Sequence, residues 1–303
     1  MDSTTGDRLV EFFTFKYEFL LYTVSGSMLV GMLCGLLGTF MVLRRLSMMG
    51  DALGHAALPG VGIAFLIVQA KLLGPIVAGA AGTALLAAVT VGYITRNSRT
   101  RPDAALGLVL AGFFGLGIVL LSYIQTSPNA AKSGLQDFLF GNAAAIRPEE
   151  VALLGGLFVV SCAAVTLLYR PLMASTFDGV QATTMGIPSQ ALHYGLMALV
   201  ALSIVASIQS VGVVLVAAMI ITPASTAYLL TDRFHWMLVL SSAIGALSGL
   251  FGALLSYLFA GFSSGPSMVV VGSVGFAIAF LFGRRGLVRR RLHERARRAA
   301  EAA

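Results

Sequence analysis

Charge is scarce in this chain, and a nucleotide-binding loop is missing. Only 11% of the 303 residues are Asp, Glu, Lys or Arg, less than half the ~25% of ordinary soluble domains. No G-x-x-x-x-G-K-[ST] segment occurs, so the chain has no P-loop with which to hydrolyse ATP. The two cysteines, Cys34 and Cys162, both lie in apolar runs. That argues against a disulfide or a thiolate metal pair and leaves them as packing residues. No polar gap between apolar runs is long enough to hold a separate folded domain. The first twenty residues carry Asp2, Asp7, Glu11, Lys16 and Glu18 but no basic cluster leading into a short apolar core, so a removable signal peptide is not expected.

What fills the chain instead is hydrocarbon: 57% of residues are hydrophobic and the mean hydropathy is +0.89. Only internally hydrogen-bonded backbone survives in a bilayer core, and a spanning helix needs about 20 apolar residues. Apolar runs of that kind fall at 23–43, 50–69, 75–95, 104–123, 151–168, 191–208, 211–230, 237–260 and 266–282. The reading is an all-α integral membrane protein, a polytopic bundle of eight or nine transmembrane helices. The division between the sixth and seventh runs is the faintest, marked only by Gln209, Ser210 and Gly212. Pro223 removes a backbone hydrogen bond further on, so Gly212 and Pro223 are the candidate helix breaks.

Cytoplasmic flanks of membrane helices retain Lys and Arg. With Arg44 and Arg45 inside, Arg96, Arg99, Arg101, Arg170, Arg233 and the eight arginines of the tail also fall inside, fifteen basic residues against five outside: Arg8, Lys16, Lys71, Lys132 and Arg147. This divides the chain into an extracytoplasmic or interfacial segment (1–22), a membrane domain (23–283) with a cytoplasmic loop at 170–190, and a basic cytoplasmic tail (284–303). The net charge of +7 is mostly this topology signal, aided by attraction of the tail to anionic lipid. Nucleic-acid binding is a poor reading, since no soluble module accompanies the arginines.

Glycine is abundant and patterned. Gly31, Gly35 and Gly38 lie close to one helical face, and Gly74, Gly79, Gly82, Gly112, Gly115 and Gly117 occur in or beside later runs. Small residues let membrane helices approach closely, so tight bundle packing is the plain reading, beside a pore wall or a dimer face.

Within the nine runs the only ionisable Asp, Glu, Lys, Arg or His residues are Asp51, His55 and His193. His193 sits near the cytoplasmic start of its run and reads as interfacial. Asp51 and His55 are one helical turn apart and share a face. At 1.5 Å per residue they lie roughly 9 and 15 Å beyond Arg45 on a straight helix, which puts His55 near the bilayer midplane. A carboxylate at depth costs a few kcal/mol and marks an interior pathway. With an imidazole it makes a first shell for divalent Mn, Fe or Zn. Two other readings stay open at this point: Asp51 capping its helix while His55 bonds a neighbour, and a proton relay through the pair.

The segment "RRLSMMGDALGHAALPGVGIAF" (44–65) resembles the signature of the membrane permeases of bacterial metal-ion ABC importers, the manganese, zinc and iron family. "DAALGLVLAGFFGLGIVLLS" (103–122), "LQDFLFGN" (135–142), the 191–231 block and "SSGPSMVVV" (263–271) agree in order. The family usually has serine where this chain has Gly54, and commonly an acidic residue before the aspartate where this chain has Arg101-Pro102-Asp103. The resemblance implies a type II ABC importer-like fold, two permease copies, a separate cytoplasmic ATPase pair and an extracytoplasmic metal-binding protein. It also implies alternating-access import of a divalent metal as cargo, no permanently bound cofactor, and residence in the bacterial cytoplasmic (inner) membrane.

The metal role falls on Asp51 and His55. The 170–190 loop resembles the family's ATPase-coupling segment, with Phe177, Asp178, Gly179, Ala182, Met185 and Gly186 as its coupling residues. Physically, Pro171 and Pro188 bracket a stretch long enough for a short helix, with Gly179 and Gly186 as candidate ends. The alternative from another class is a proton-coupled secondary cation transporter using the same Asp51 and His55. An intramembrane hydrolase is more distant, because the runs offer no fuller catalytic set.

Overall fold

The structure, a computed structural model, describes residues 11–12, 14, 18–69, 72–126, 146–259 and 262–283. The "LQDFLFGN" block, Lys71, Lys132 and the arginine-rich tail lie outside the described residues. Within them the chain is helical almost throughout. In order the helices are α1 (Glu18–Leu43), α2 (Met49–Ala56), α3 (Leu58–Val68), α4 (Leu73–Asn97), α5 (Pro102–Gln125) and α6 (Pro148–Leu167). Two short helices follow, α7 (Tyr169–Phe177) and α8 (Gly179–Thr184), then α9 (Ser189–Val211), α10 (Val213–Leu230), α11 (Phe234–Leu258) and α12 (Ser264–Phe282). Eight helical segments are long and apolar enough to cross a membrane, α2 with α3 counting as one; Leu215–Leu230 of α10 is a shorter apolar helix.

The two ends of the bundle differ in chemistry. At one end the start of α1 meets the start of α6, where Ile146 lies against Gly26, and Tyr257 of α11 donates a hydrogen bond to Glu11 at 3.3 Å. At the other end Arg44 reaches α7 and α9, Arg96 reaches Gln190, and Arg45 and Arg233 line one cavity with Phe177 and Phe234. The starts of α9 and α11 and the close of α10 all lie at this basic end, so the chain reverses at Gly212. Its backbone there has φ 93° and ψ 155°, a region that only glycine enters without strain. Pro223 behaves differently: it stands inside α10, which runs on through it.

Helix α1 is the centre of the bundle, and glycine puts it there. A Cβ on Gly31 would fall on the carbonyl of Gly245, one on Gly35 on the carbonyl of Ser241, and one on Gly38 on the carbonyl of Ile220. The hydroxyl of Ser241 then donates to the Gly35 carbonyl at 2.6 Å, and that of Ser242 to Met32 at 3.3 Å. Close backbone approach is how apolar helices associate where lipid is as apolar as leucine. Gly79 meets Gly60 between α3 and α4 in the same way, whereas Gly74, Gly82, Gly112 and Gly115 have nothing within 4 Å. The sequence pattern therefore mixes two populations that spacing could not separate. Both cysteines are free, Cys34 buried in the bundle with its sulfur 3.8 Å from the Ser207 hydroxyl.

This packing generates a graded expectation. Gly31→Ala places a methyl group on unyielding backbone, a clash at or beyond the upper end of the ~1–3 kcal/mol typical of overpacking. The yield of monodisperse protein extracted from membranes should collapse. Gly82→Ala fills open space and should leave the yield unchanged. Equal yields for the two variants, read by size-exclusion chromatography, would contradict the α1–α11 contact.

Candidate functional site

Asp51 and His55 are carried on α2, and the chain reaches α2 through a turn that the amino-acid pattern does not announce. Leu46 donates its N–H to the Met41 carbonyl at 2.9 Å and Arg45 donates to Val42 at 3.1 Å. Those two bonds close a Schellman motif. Arg45 occupies the left-handed position, φ 58°, where glycine is usual. The expectation of one straight helix running on from Arg45 is thereby corrected: α2 starts at Met49, with Asp51 and His55 ~3 and ~9 Å along it from that residue. The second span is interrupted for one residue at Ala57, which keeps helical backbone and still donates to Leu53; two residues on, Pro59 has no N–H to give the ladder.

The two side chains do meet: His55 Nε2 is 3.4 Å from Asp51 Oδ1, with His55 17% exposed and Asp51 47% exposed. Two donors bound to one ion through ~2.1 Å bonds stand ~3.0 Å apart at a right angle and ~3.4 Å apart at the tetrahedral angle. The observed separation matches the tetrahedral figure and is equally that of a direct contact between the two side chains. Phe114 of α5 packs edge-on against the imidazole, ring centres 4.7 Å apart, and fixes its tilt. His55 Nδ1 is buried without a hydrogen-bond partner, an arrangement that costs ~1–3 kcal/mol. No hydrogen bond to a neighbouring helix explains the histidine, and no side chain caps α2. The capping account of the pair thus finds no bond to rest on among the described residues.

Nothing else of the same chemistry stands nearby. Among the described residues no group of three or more His, Cys, Asp or Glu could hold an ion. A Cβ on Gly54 would lie 3.5 Å from Val213 Cγ1, an ordinary contact, so the serine common at this position in the resembled family would fit. The chain simply lacks that hydroxyl, and the site is one carboxylate and one imidazole.

The basic end holds a second assembly of interest. Arg44 donates from Nε to the Thr176 hydroxyl at 3.2 Å, from Nη2 to the Ser175 hydroxyl at 3.0 Å, and from Nη1 to His193 Nδ1 at 3.2 Å. Guanidinium has no acceptor, so Nδ1 of His193 is the acceptor and carries no proton. Burial lowers the Arg44 pKa from its ordinary value, and arginine stays charged in any case. Phe234 gathers Phe40 at 5.7 Å, Tyr169 at 5.5 Å and Phe177 at 5.9 Å between ring centres. Together these contacts fasten α7 to α1, α9 and α11.

The 170–190 loop contains two helices, where one was expected. Pro171 lies inside the first turn of α7, Gly179 begins α8 rather than ending a helix, and Gly186, at φ 77°, follows it. The Asp178 carboxylate accepts from the amides of Val180 and Gln181 at 3.1 and 2.9 Å, an N-cap in the usual sense. Phe177 and Met185 are 60% and 65% exposed, whereas Ala182 is 1% exposed and holds α8 down. Val180, 77% exposed, and Met173 complete a protruding apolar rim that the sequence reading did not include. Phe114 was missed too, since one aromatic in an apolar run carries no signal.

Comparison with known proteins fits this geometry. Residues 16–283 match the ABC 3 transport family. The chain is 42% identical over 269 residues to the manganese transport system membrane protein MntC of Halalkalibacterium halodurans, covering 88% of each. It is 37% identical over 248 residues to the zinc transport system membrane protein TroC of Treponema pallidum, covering 82% of this chain and 83% of that one. Among solved structures it resembles PsaBC from Streptococcus pneumoniae in complex with Fab, with a TM-score of 0.80 and 34% identity over 91% of this chain and 97% of that one. A multi-pass helical bundle with no P-loop, matched over its membrane domain, is a permease subunit rather than an ATPase: the chain belongs to the ABC 3 transport family.

Proposed function

We propose that this permease passes a divalent transition-metal ion into the cytoplasm by alternating access, with Asp51 and His55 as its ligands along the path. The observation that carries the reading is their 3.4 Å separation within an otherwise apolar span. One oxygen and one nitrogen suit Mn, Fe and Zn alike. The relatives named for manganese and zinc make manganese the first ion to try. The ion is cargo, and two protein ligands are few enough to release it.

The Asp51 side chain is half exposed in one copy, and a carboxylate within a span does not face hydrocarbon. A second copy of the permease would cover it. The basic end faces the cytoplasm of the bacterial inner membrane, as retained arginines require, and the tail lies on that side. A separate P-loop ATPase docks there on α7 and α8 through Phe177, Val180 and Met185. A metal-binding protein delivers the ion at the opposite end.

Two experiments test this reading. In proteoliposomes containing the assembled transporter, Asp51→Asn keeps shape and removes charge, and His55→Leu keeps the contact with Phe114 while deleting an unpartnered nitrogen. Each should lower ATP-driven manganese uptake at least ~100-fold, as expected when a direct ligand is lost, since losing even the partners behind a ligand costs about 10–100-fold. Thermal stability should not fall, and for His55→Leu should rise. Normal uptake by either variant would sink the metal role, and uptake driven by a pH gradient without ATP would favour the proton relay instead. Separately, Val180→Asp with Met185→Glu should abolish co-purification of the ATPase and leave the permease itself intact. Undiminished co-purification would remove α8 from the docking surface.

A further inference from the structure

Arg44 sits where two parts of the molecule with different tasks meet, and no acidic partner explains it among its hydrogen bonds. Its three bonds run to two hydroxyls of α7 and to one ring nitrogen of α9. It is the first residue after α1, and the Schellman turn that follows leads within seven residues to Asp51. The Ser175 hydroxyl donates its own proton to the Leu172 carbonyl at 3.1 Å, so its lone pairs are free for the guanidinium. A half-buried guanidinium satisfied only by neutral acceptors is a choice of geometry over charge, since the planar fork addresses three directions at once and an ammonium cannot.

We propose that Arg44 is a positioning residue that latches the ATPase-docking segment to the turn carrying the metal site, so that α7 and the α1–α2 turn move as one body. The inference rests on the reading of α7 and α8 as the docking segment. Movement of α7 imposed by ATP binding is passed through Ser175 and Thr176 to Arg44. From there it follows the Arg44–Met48 turn to Asp51, which lies near the start of α2 where a displacement of the turn is felt in full. The aromatic set around Phe234 keeps α7 seated on the bundle while this happens. His193 supplies a fixed point on α9, against which the guanidinium plane is oriented.

The consequence is a defect in coupling rather than in binding or chemistry. Arg44→Ala in the assembled transporter should leave ATPase co-purification, thermal stability and the manganese concentration for half-maximal uptake near wild type. The number of manganese ions moved per ATP hydrolysed should fall about tenfold, the scale of losing hydrogen bonds from a charged group. Arg44→Lys should recover little, because it keeps the charge and loses the fork. The double variant Ser175→Ala with Thr176→Val tests the same contact from the other side. It should show the same loss, and adding it to Arg44→Ala should make nothing worse, the non-additivity expected of one shared interaction.

A normal ion-to-ATP ratio in either Arg44→Ala or the hydroxyl variant overturns the latch, as does full additivity of the two. A changed half-maximal concentration with an unchanged ratio overturns it also, by placing Arg44 in ion binding. If the Val180 and Met185 variants assemble with the ATPase undiminished, the docking reading fails and takes the latch with it. If they fail to assemble while Arg44→Ala couples normally, the latch alone is wrong.

Discussion

Between α1 and α11 the two backbones touch: the carbonyls of Gly31 and Gly245 each stand where a side chain on the other would be. Within a bilayer there is no hydrophobic gain in pressing one apolar helix against another. Close van der Waals approach and hydroxyl bonds such as Ser241 to Gly35 must supply the cohesion. Glycine at three successive turns of α1 allows that, and with α11 on one side and α10 at Gly38 on the other, α1 becomes the fixed member of the bundle. The last of these close backbone contacts is at Gly38; beyond it the final residues of α1 lead to Arg44, the Schellman turn at Arg45 and the start of α2.

The functional geometry inherits that rigidity and departs from it at chosen places. Helix α2 is short, ends at Ala57 before Pro59, and carries both ionisable side chains of the apolar interior within its eight residues. Gly212 reverses the chain beside it, where Val213 lies against Gly54. The Schellman turn before α2 and the interruption at Ala57 after it mark α2 off from its neighbours in the chain. The leading observation at the site is one of spacing; the buried Nδ1 of His55 has no hydrogen-bond partner among the described residues.

Much of this was legible in the amino-acid order because hydrocarbon imposes strict rules. Apolar length located the spans, arginine asymmetry grouped Arg44, Arg45, Arg96 and Arg233, which the structure gathers at one end, and rarity of charge singled out Asp51 and His55. What escaped were features with no compositional mark. The left-handed position after α1 is held by Arg45 instead of glycine, so the turn between α1 and α2 was invisible. The interruption at Ala57 needed Pro59 to be read as a helix start instead of an interior residue. Arg44 looked like one topology charge among many, since Ser175 and Thr176 are over 130 residues away. Ala182 was counted with the coupling surface by position in the loop, whereas the side of α8 it occupies is set by the Asp178 cap and is buried.

The central claim is that the imidazole of His55 and the carboxylate of Asp51 bind the travelling ion directly. Pulsed electron paramagnetic resonance of manganese held in the assembled transporter reads that bond without relying on transport. Wild type should show the nitrogen modulation of a directly coordinated imidazole, and His55→Leu should lose it while the protein stays folded. Manganese bound in wild type with no nitrogen modulation, or modulation that persists in His55→Leu, would contradict the account.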